Sequence, residues 1–162
     1  MGHPSSISAP AMRADRLSHK SAVDFALWSQ KIPNVPNRPR SVVVAHADTH
    51  VAETLALYFR LKEISSVTTS DMAQVALILD FWKPGAVLID TRLCWQDNYS
   101  LIREASIAYA LSGVLIIALT GASGEEQPAD MQRLGFDGIC TEQFSAWRTV
   151  EMLSNHLIAP TL

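Results

Sequence analysis

The sequence predicts an α/β protein: a doubly wound parallel β-sheet with helices on both faces. Three observations predict it. Ala86-Val87-Leu88-Ile89 is a run of four apolar residues between the breakers Pro84-Gly85 and the carboxylate of Asp90. A strand with one wet face would alternate, so this one is covered on both sides and belongs in the middle of a parallel sheet. Val114 to Leu119 is a second continuous apolar run, ended by Thr120. From Ser41 onward such strands alternate with segments of helical period, and repeated strand–helix units with right-handed crossovers build a sheet of this kind.

The elements follow in chain order. Residues 1–20 are rich in Ser, Pro, Ala and His, show no period and read as disordered. Ser21 as a cap with Asp24 at its third position predicts a short helix over 21–32, with Val23, Leu27 and Trp28 sharing a face. A helix this short is marginal alone and needs a surface to dock on. Pro33, Pro36 and Pro39 each fix φ and push the preceding residue out of the helical region, so they make an extended linker. Residues 1–40 are therefore a tail, and 41–162 the domain.

Ser41-Val42-Val43-Val44-Ala45 is a buried strand, followed by a helix from Val51 to Leu61 with Leu55, Tyr58, Phe59 and Leu61 at helical spacing. Val67-Thr68-Thr69 is a weaker strand near an edge. Asp71 to Trp82 is helical, with Val75, Ile78 and Leu79 on one stripe and Pro84 just past its end. The strand ending at Asp90 leads through a loop to a helix near Tyr99 to Tyr109, and the strand at 114–120 leads to a helix ending before Gly135. Pro128 has no N–H and clashes with a preceding turn, so that helix starts there or is distorted. Asp137 to Thr141 is the last strand. Ser145 to Leu157 is the last helix, with Ala146, Val150, Leu153 and Leu157 inward and Trp147 and Glu151 to the side.

Composition bounds the function. The chain has 162 residues, 48% apolar and 18% charged, which suits one soluble domain plus a tail. No apolar stretch approaches the roughly 20 residues a membrane-spanning helix needs. The first 20 residues lack the apolar core of a secretory signal, so a cytoplasmic location is expected. Cys94 and Cys140 have neither metal-ligand spacing nor a disulfide framework and are expected to be reduced. Residues 1–40 carry six Lys/Arg against two Asp, and 41–162 carry seven against fourteen Asp/Glu, giving the net −3. An acidic domain of this kind is a poor partner for nucleic acid.

The strand-end Asp90 is open to two readings. In open α/β sheets chemistry sits beyond the carboxyl ends of the strands, where Asp90 is delivered; a strand-end Asp also commonly caps its own loop. Val42 to Val44, Ala52 to Leu57, Pro84 through Asp90, Ala118-Leu119-Thr120-Gly121 and Gly135-Phe136-Asp137-Gly138 stand in an order and spacing that carry a resemblance. From Ser41 to its C-terminus the chain resembles a receiver domain of bacterial two-component response regulators, related to the chemotaxis receiver protein. The resemblance implies a flavodoxin-like (βα)5 sheet in the order 2-1-3-4-5. It also implies phosphoryl transfer from a partner histidine kinase onto the Asp ending the third strand, which matches Asp90. The switch hydroxyl of the family matches Thr120.

The sequence departs from the family where the charge should be. The acidic pair that holds Mg²⁺ falls on His46-Ala47, and the charge-neutralising Lys falls on Glu142, with Gln143 after it. Mg²⁺ needs hard oxygen ligands, so Asp90 alone is a thin, weak site, and Asp48, one residue on, is aimed elsewhere by strand alternation. A Glu142 charge facing Asp90 opposes a phosphoryl dianion. His46 reads as a soft-metal or proton-coupled partner of Asp90 or as a structural histidine. Trp95 reads as a lid over the pocket, a partner contact or loop packing. Ile139 stands where the family often carries a reporting aromatic on the last strand. The face of the last two helices and the last strand, with Ile139 and Trp147, is the candidate surface for partners or a homodimer.

No nucleophile elbow, phosphate-binding glycine loop or metal-ligand cluster points to an enzyme. Two functions follow. One is an atypical stand-alone receiver-like protein of a two-component phosphorelay, acting by protein–protein contact with a histidine kinase or another signalling protein, with weak or no phosphorylation and no required cofactor. The other is a working phosphoacceptor response regulator, phosphorylated on Asp90 by a sensor histidine kinase.

Overall fold

The structure, a computed structural model, describes residues 25–28, 40–108, 113–121, 126–141 and 145–157. Its strands are β1 (Phe25–Leu27), β2 (Ser41–Ala45), β3 (Ser65–Thr69), β4 (Ala86–Asp90), β5 (Leu115–Thr120) and β6 (Gly138–Thr141). Its helices are α1 (Thr49–Leu61), α2 (Met72–Trp82), α3 (Ser100–Ala108), α4 (Pro128–Leu134) and α5 (Ala146–Leu157), with a 3-10 turn at Thr91–Cys94 directly after β4. The strands form one sheet in the order β1-β6-β5-β4-β2-β3. The five strands from β2 onward are parallel and have the expected 2-1-3-4-5 order. The sixth, β1, is an addition at the edge and runs antiparallel to β6.

Alternation of side chains splits the core in two. Val42, Val44, Ala86, Leu88, Leu115 and Ile117 face α1 and α5, where Leu55, Phe59, Val150, Leu153 and Leu157 meet them. Val43, Ala45, Val87, Ile89, Ile116 and Ala118 face α2, α3 and α4, through Val75, Leu79, Ile102, Ala105 and Met131. β2, β4 and β5 are buried along their whole length, whereas β3 alternates as an edge strand should. Leu61 faces solvent rather than the core because it lies well off the Leu55–Phe59 stripe of α1.

Local chemistry sets the helix ends. Asp48 and Asp71 cap α1 and α2 by accepting the N–H groups of His50 and Ala73. Pro128 opens α4 at its first position, and Gly135, at φ 113°, closes it in the left-handed conformation.

The short helix expected over 21–32 is not formed where the structure describes that segment: residues 25–27 are strand. Phe25 and Leu27 pack on the α1/α5 cluster and Ala26 and Trp28 on the other, a period of two rather than 3.6. The edge of β6 offers backbone partners that an isolated short helix lacks. Residues 1–24 and 29–39, with the expected tail, cap and linker, lie outside the described residues.

Candidate functional site

The carboxyl ends of β2, β4 and β5 gather His46, Asp90 and Thr120, each only 1% exposed. Strand order brings them together: β4 lies between β2 and β5, with Ala45 opposite Ile89 and Leu119 opposite Asp90. At this rim the buried side chains are polar and each must find its own partners.

Asp90 finds several. Its Oδ2 accepts the backbone N–H of Ala47 at 3.0 Å, and its Oδ1 accepts the backbone N–H of Arg92 at 3.0 Å. The Arg92 guanidinium then folds back two residues: Nε donates to both oxygens at 3.1 Å, and Nη2 donates to Oδ2 at 2.9 Å. Burial by itself raises the pKa of Asp90, but the donors from Arg92 and Ala47 outweigh it and hold the carboxyl below its ordinary value. Asp90 is thus an ionised carboxylate with its own internal cation, and it also caps the 3-10 turn that carries Arg92. Of the two readings of the strand-end Asp, the loop cap is the one these contacts form.

His46 lies beside it. Its Nδ1 is 3.5 Å from Asp90 Oδ2 and accepts the Asp48 N–H at 2.9 Å. Ala47 contributes only its backbone. Asp48 points away to α1, as its cap role requires. The Thr120 hydroxyl is buried and has no hydrogen-bond partner among the described residues.

The donors around Asp90 do not suit Mg²⁺. His46 and Ala47 beside it offer an imidazole and a methyl group rather than carboxylates, and the Asp90 oxygens are already turned to N–H groups. Among the described residues no group of three or more His, Cys, Asp or Glu is placed to hold a metal ion. Glu142, expected at the Lys position, lies outside the described residues.

Arg92 is the residue the sequence reading missed. Its signal was the Asp90-Thr91-Arg92 spacing, which lets an arginine close back onto a strand-end carboxylate when a 3-10 turn follows. Of the expected surface residues, Ile139 is a correction. Its side chain is 1% exposed in the cluster under α2, α3 and α4, because its strand is covered on that face, so it presents no open surface. Trp147 is partly exposed, but it faces α1: its ring meets Tyr58 edge-on at 5.4 Å, with Lys62 Nζ 5.0 Å from its centre. Trp95 is exposed at the end of the 3-10 turn. Cys94 and Cys140 are buried thiols, and the Cys140 Sγ lies 3.0 Å from the Thr149 hydroxyl. Burial first, then the charges of Asp97, Asp90 and Glu126, push the Cys94 thiol up to about 12, so it carries no reactive thiolate.

A sheet of this order is shared with known structures. The chain is similar to the receiver domain of Francisella response regulator 1452, with a TM-score of 0.62 and 18% identity over 73% of this chain and 96% of that one. A CheY-like receiver domain protein of Methanospirillum hungatei JF-1 gives 0.64 and 13%, covering 74% and 94%. HP1043, an orphan response regulator of H. pylori, gives 0.62 and 9%, covering 74% and 98%. The chain has the fold of a receiver domain. No family model matches the sequence, and no curated protein matches it either. Within the receiver fold, Asp90 ends the third parallel strand and Thr120 the fourth. No helix among the described residues is long and apolar enough to cross a membrane.

Proposed function

We propose that this is a receiver-like signalling protein of a two-component phosphorelay that acts by protein–protein contact, with Asp90 held by Arg92 rather than phosphorylated. The observation that carries this reading is the grip of the Arg92 guanidinium on both carboxylate oxygens. A phosphoryl group would add about −1.5 to −2 charges at this position. To attack phosphorus, an Asp90 oxygen must first leave Arg92, and the charge that develops must then be neutralised. His46 and Ala47 bring no cation, and Glu142 stands where a lysine would help. The partners are a histidine kinase or another signalling protein, or a second copy meeting the last two helices, in the cytoplasm. The chain itself catalyses nothing.

One observation favours the second reading, a working phosphoacceptor. The buried Thr120 hydroxyl, with no partner among the described residues, is a donor held in reserve, and Arg92 could turn from the carboxylate to phosphoryl oxygens. Mass spectrometry after incubation with acetyl phosphate and Mg²⁺ separates the two. The proposal expects no phosphoryl adduct on the natural chain and an adduct on the His46→Asp, Ala47→Asp, Glu142→Lys revertant. An adduct on the natural chain that disappears in Asp90→Asn establishes the second reading instead.

A further inference from the structure

The five parallel strands end at β6, and an end strand carries a row of backbone N–H and C=O groups ready to pair with another extended chain. Here the row is taken by Phe25, Ala26 and Leu27, opposite Cys140, Ile139 and Gly138. Three features shape the seat. A Cβ on Gly138 would lie 2.6 Å from the Ala26 carbonyl oxygen and 2.9 Å from a Leu27 methyl, so only glycine lets the incoming backbone close. The Phe136 carbonyl accepts the Trp28 indole N–H at 2.8 Å, and the Asp137 carbonyl accepts the Trp28 backbone N–H at 3.0 Å. The two faces of the sheet receive Phe25 and Leu27 on one side and Ala26 and Trp28 on the other.

The occupant is held less firmly than the seat. β1 is three residues long and half-buried, whereas Gly138, Ile139 and Cys140 are buried beneath it, and among the described residues β6 is its one strand neighbour. Such short, half-exposed segments open at far lower cost than the domain unfolds. We propose that the β6 edge is a strand-addition site for a partner protein, and that residues 25–28 are its resident, displaceable occupant.

The resident specifies the partner chemistry. The partner presents an extended, uncharged segment of the order aromatic, small, aliphatic, tryptophan, antiparallel to β6. The residues of β6, Gly138-Ile139-Cys140-Thr141, carry no charge, so recognition rests on backbone pairing, the glycine gap and the indole donor. Because the resident is tethered, it competes at an effective concentration of about 1 mM, and a partner prevails by pairing over more residues or by binding elsewhere as well. The inference stands apart from the state of Asp90.

The test uses the full chain with its resident disabled by Ala26→Pro and Trp28→Ala. Alternation from the bonded Trp28–Asp137 pair makes Ala26 a bonded position, so proline there removes a ladder donor. A fluorescein-labelled peptide of residues 21–32 is the probe. The expected result is saturable one-to-one binding to this variant, at least tenfold tighter than to the natural chain. Adding Gly138→Ala should abolish it, and a Trp28→Phe peptide should bind about tenfold more weakly. Equal binding to both chains, binding that survives Gly138→Ala, or no binding to a variant shown folded by circular dichroism overturns the proposal. If the variant does not fold, amide spectra of the natural chain with several millimolar peptide decide: shifts at 138–141 support the site, and none overturns it. A natural-chain dimer in light scattering that Ala26→Pro dissociates would assign the edge to a second copy and overturn the assignment to a different partner.

Discussion

Within one residue of β4 the physical basis of stability changes. Leu88 and Ile89 are buried among side chains of two clusters and need nothing from them but volume, whereas Asp90, equally buried, needs particular donors at particular distances. The same holds at the end of β2, with Ala45 beside His46, whose Nδ1 accepts the Asp48 N–H. Burial is uniform from the body of the sheet to its carboxyl rim, but the body is held by nondirectional apolar contact and the rim by directed hydrogen bonds. The body can therefore accept substitutions that keep its volume, and the rim cannot accept those that change a partner.

The largest expected effect breaks the body. Leu88→Ala should cost about 2–5 kcal/mol, as buried leucine truncations do, while Leu88→Met should cost under about 1.5 kcal/mol. Urea unfolding of both checks the pair. Equal losses would mean that β4 depends on shape as strictly as the rim does. At the rim, Arg92→Ala should cost about 1–3 kcal/mol by leaving the carboxylate short of its cation, with the half-exposed guanidinium placing it toward the lower end. Arg92→Lys, a point charge without the fork, should recover less than half of that loss. Full recovery would show that charge alone, without two-oxygen geometry, holds Asp90.

The body was legible in the sequence because apolar runs bounded by breakers carry their own explanation: Val42 to Ala45, Ala86 to Ile89 and Val114 to Leu119 could be little else than buried parallel strands. Two features were not. Phe25-Ala26-Leu27-Trp28 fits a helical face as well as a strand over so few residues, and only the vacancy at the β6 edge decides between them. The rim was legible in its positions, Asp90 and Thr120, which end neighbouring strands. Its central contact was not, because an arginine two residues past a carboxylate reaches back only if the intervening backbone makes a tight turn. Ile139 failed as a surface residue for the converse reason: the element that covers it is itself set by the tertiary fold.

A smaller effect sharpens the contrast through pH. The native pKa of Asp90 lies below the ordinary 3.8, so its ionised form is favoured by folding. This contribution is complete above the unfolded value and is lost as pH falls from there through the native pKa. Melting curves between pH 7 and pH 2 should show the natural chain losing stability in that window relative to Asp90→Asn, whose rim does not titrate. A constant difference between the two across the whole range would mean that the Arg92 contact leaves the carboxyl unperturbed.

The smallest expected change in stability belongs to Thr120, and it bears most directly on function. Its hydroxyl is buried without a partner among the described residues, so in the resting protein it loses hydration and gains nothing in exchange. Thr120→Val removes that hydroxyl at almost constant shape and should leave stability unchanged or raise it by up to about 1 kcal/mol. A loss of more than that would reveal a bond the hydroxyl makes in solution. Beryllium fluoride, a phosphoryl mimic, gives the same substitution a second readout through the fluorescence of the exposed Trp95. If Asp90 is held by Arg92 and phosphorylation plays no part, neither the natural chain nor Thr120→Val responds to the mimic with Mg²⁺, and the hydroxyl is a remnant of the receiver fold. If the natural chain responds and Thr120→Val does not, the hydroxyl is the donor that waits for a phosphoryl oxygen. The rim is then poised to exchange its Arg92 contact for a phosphoryl group, and its directed bonds serve a switch rather than a fixed lock.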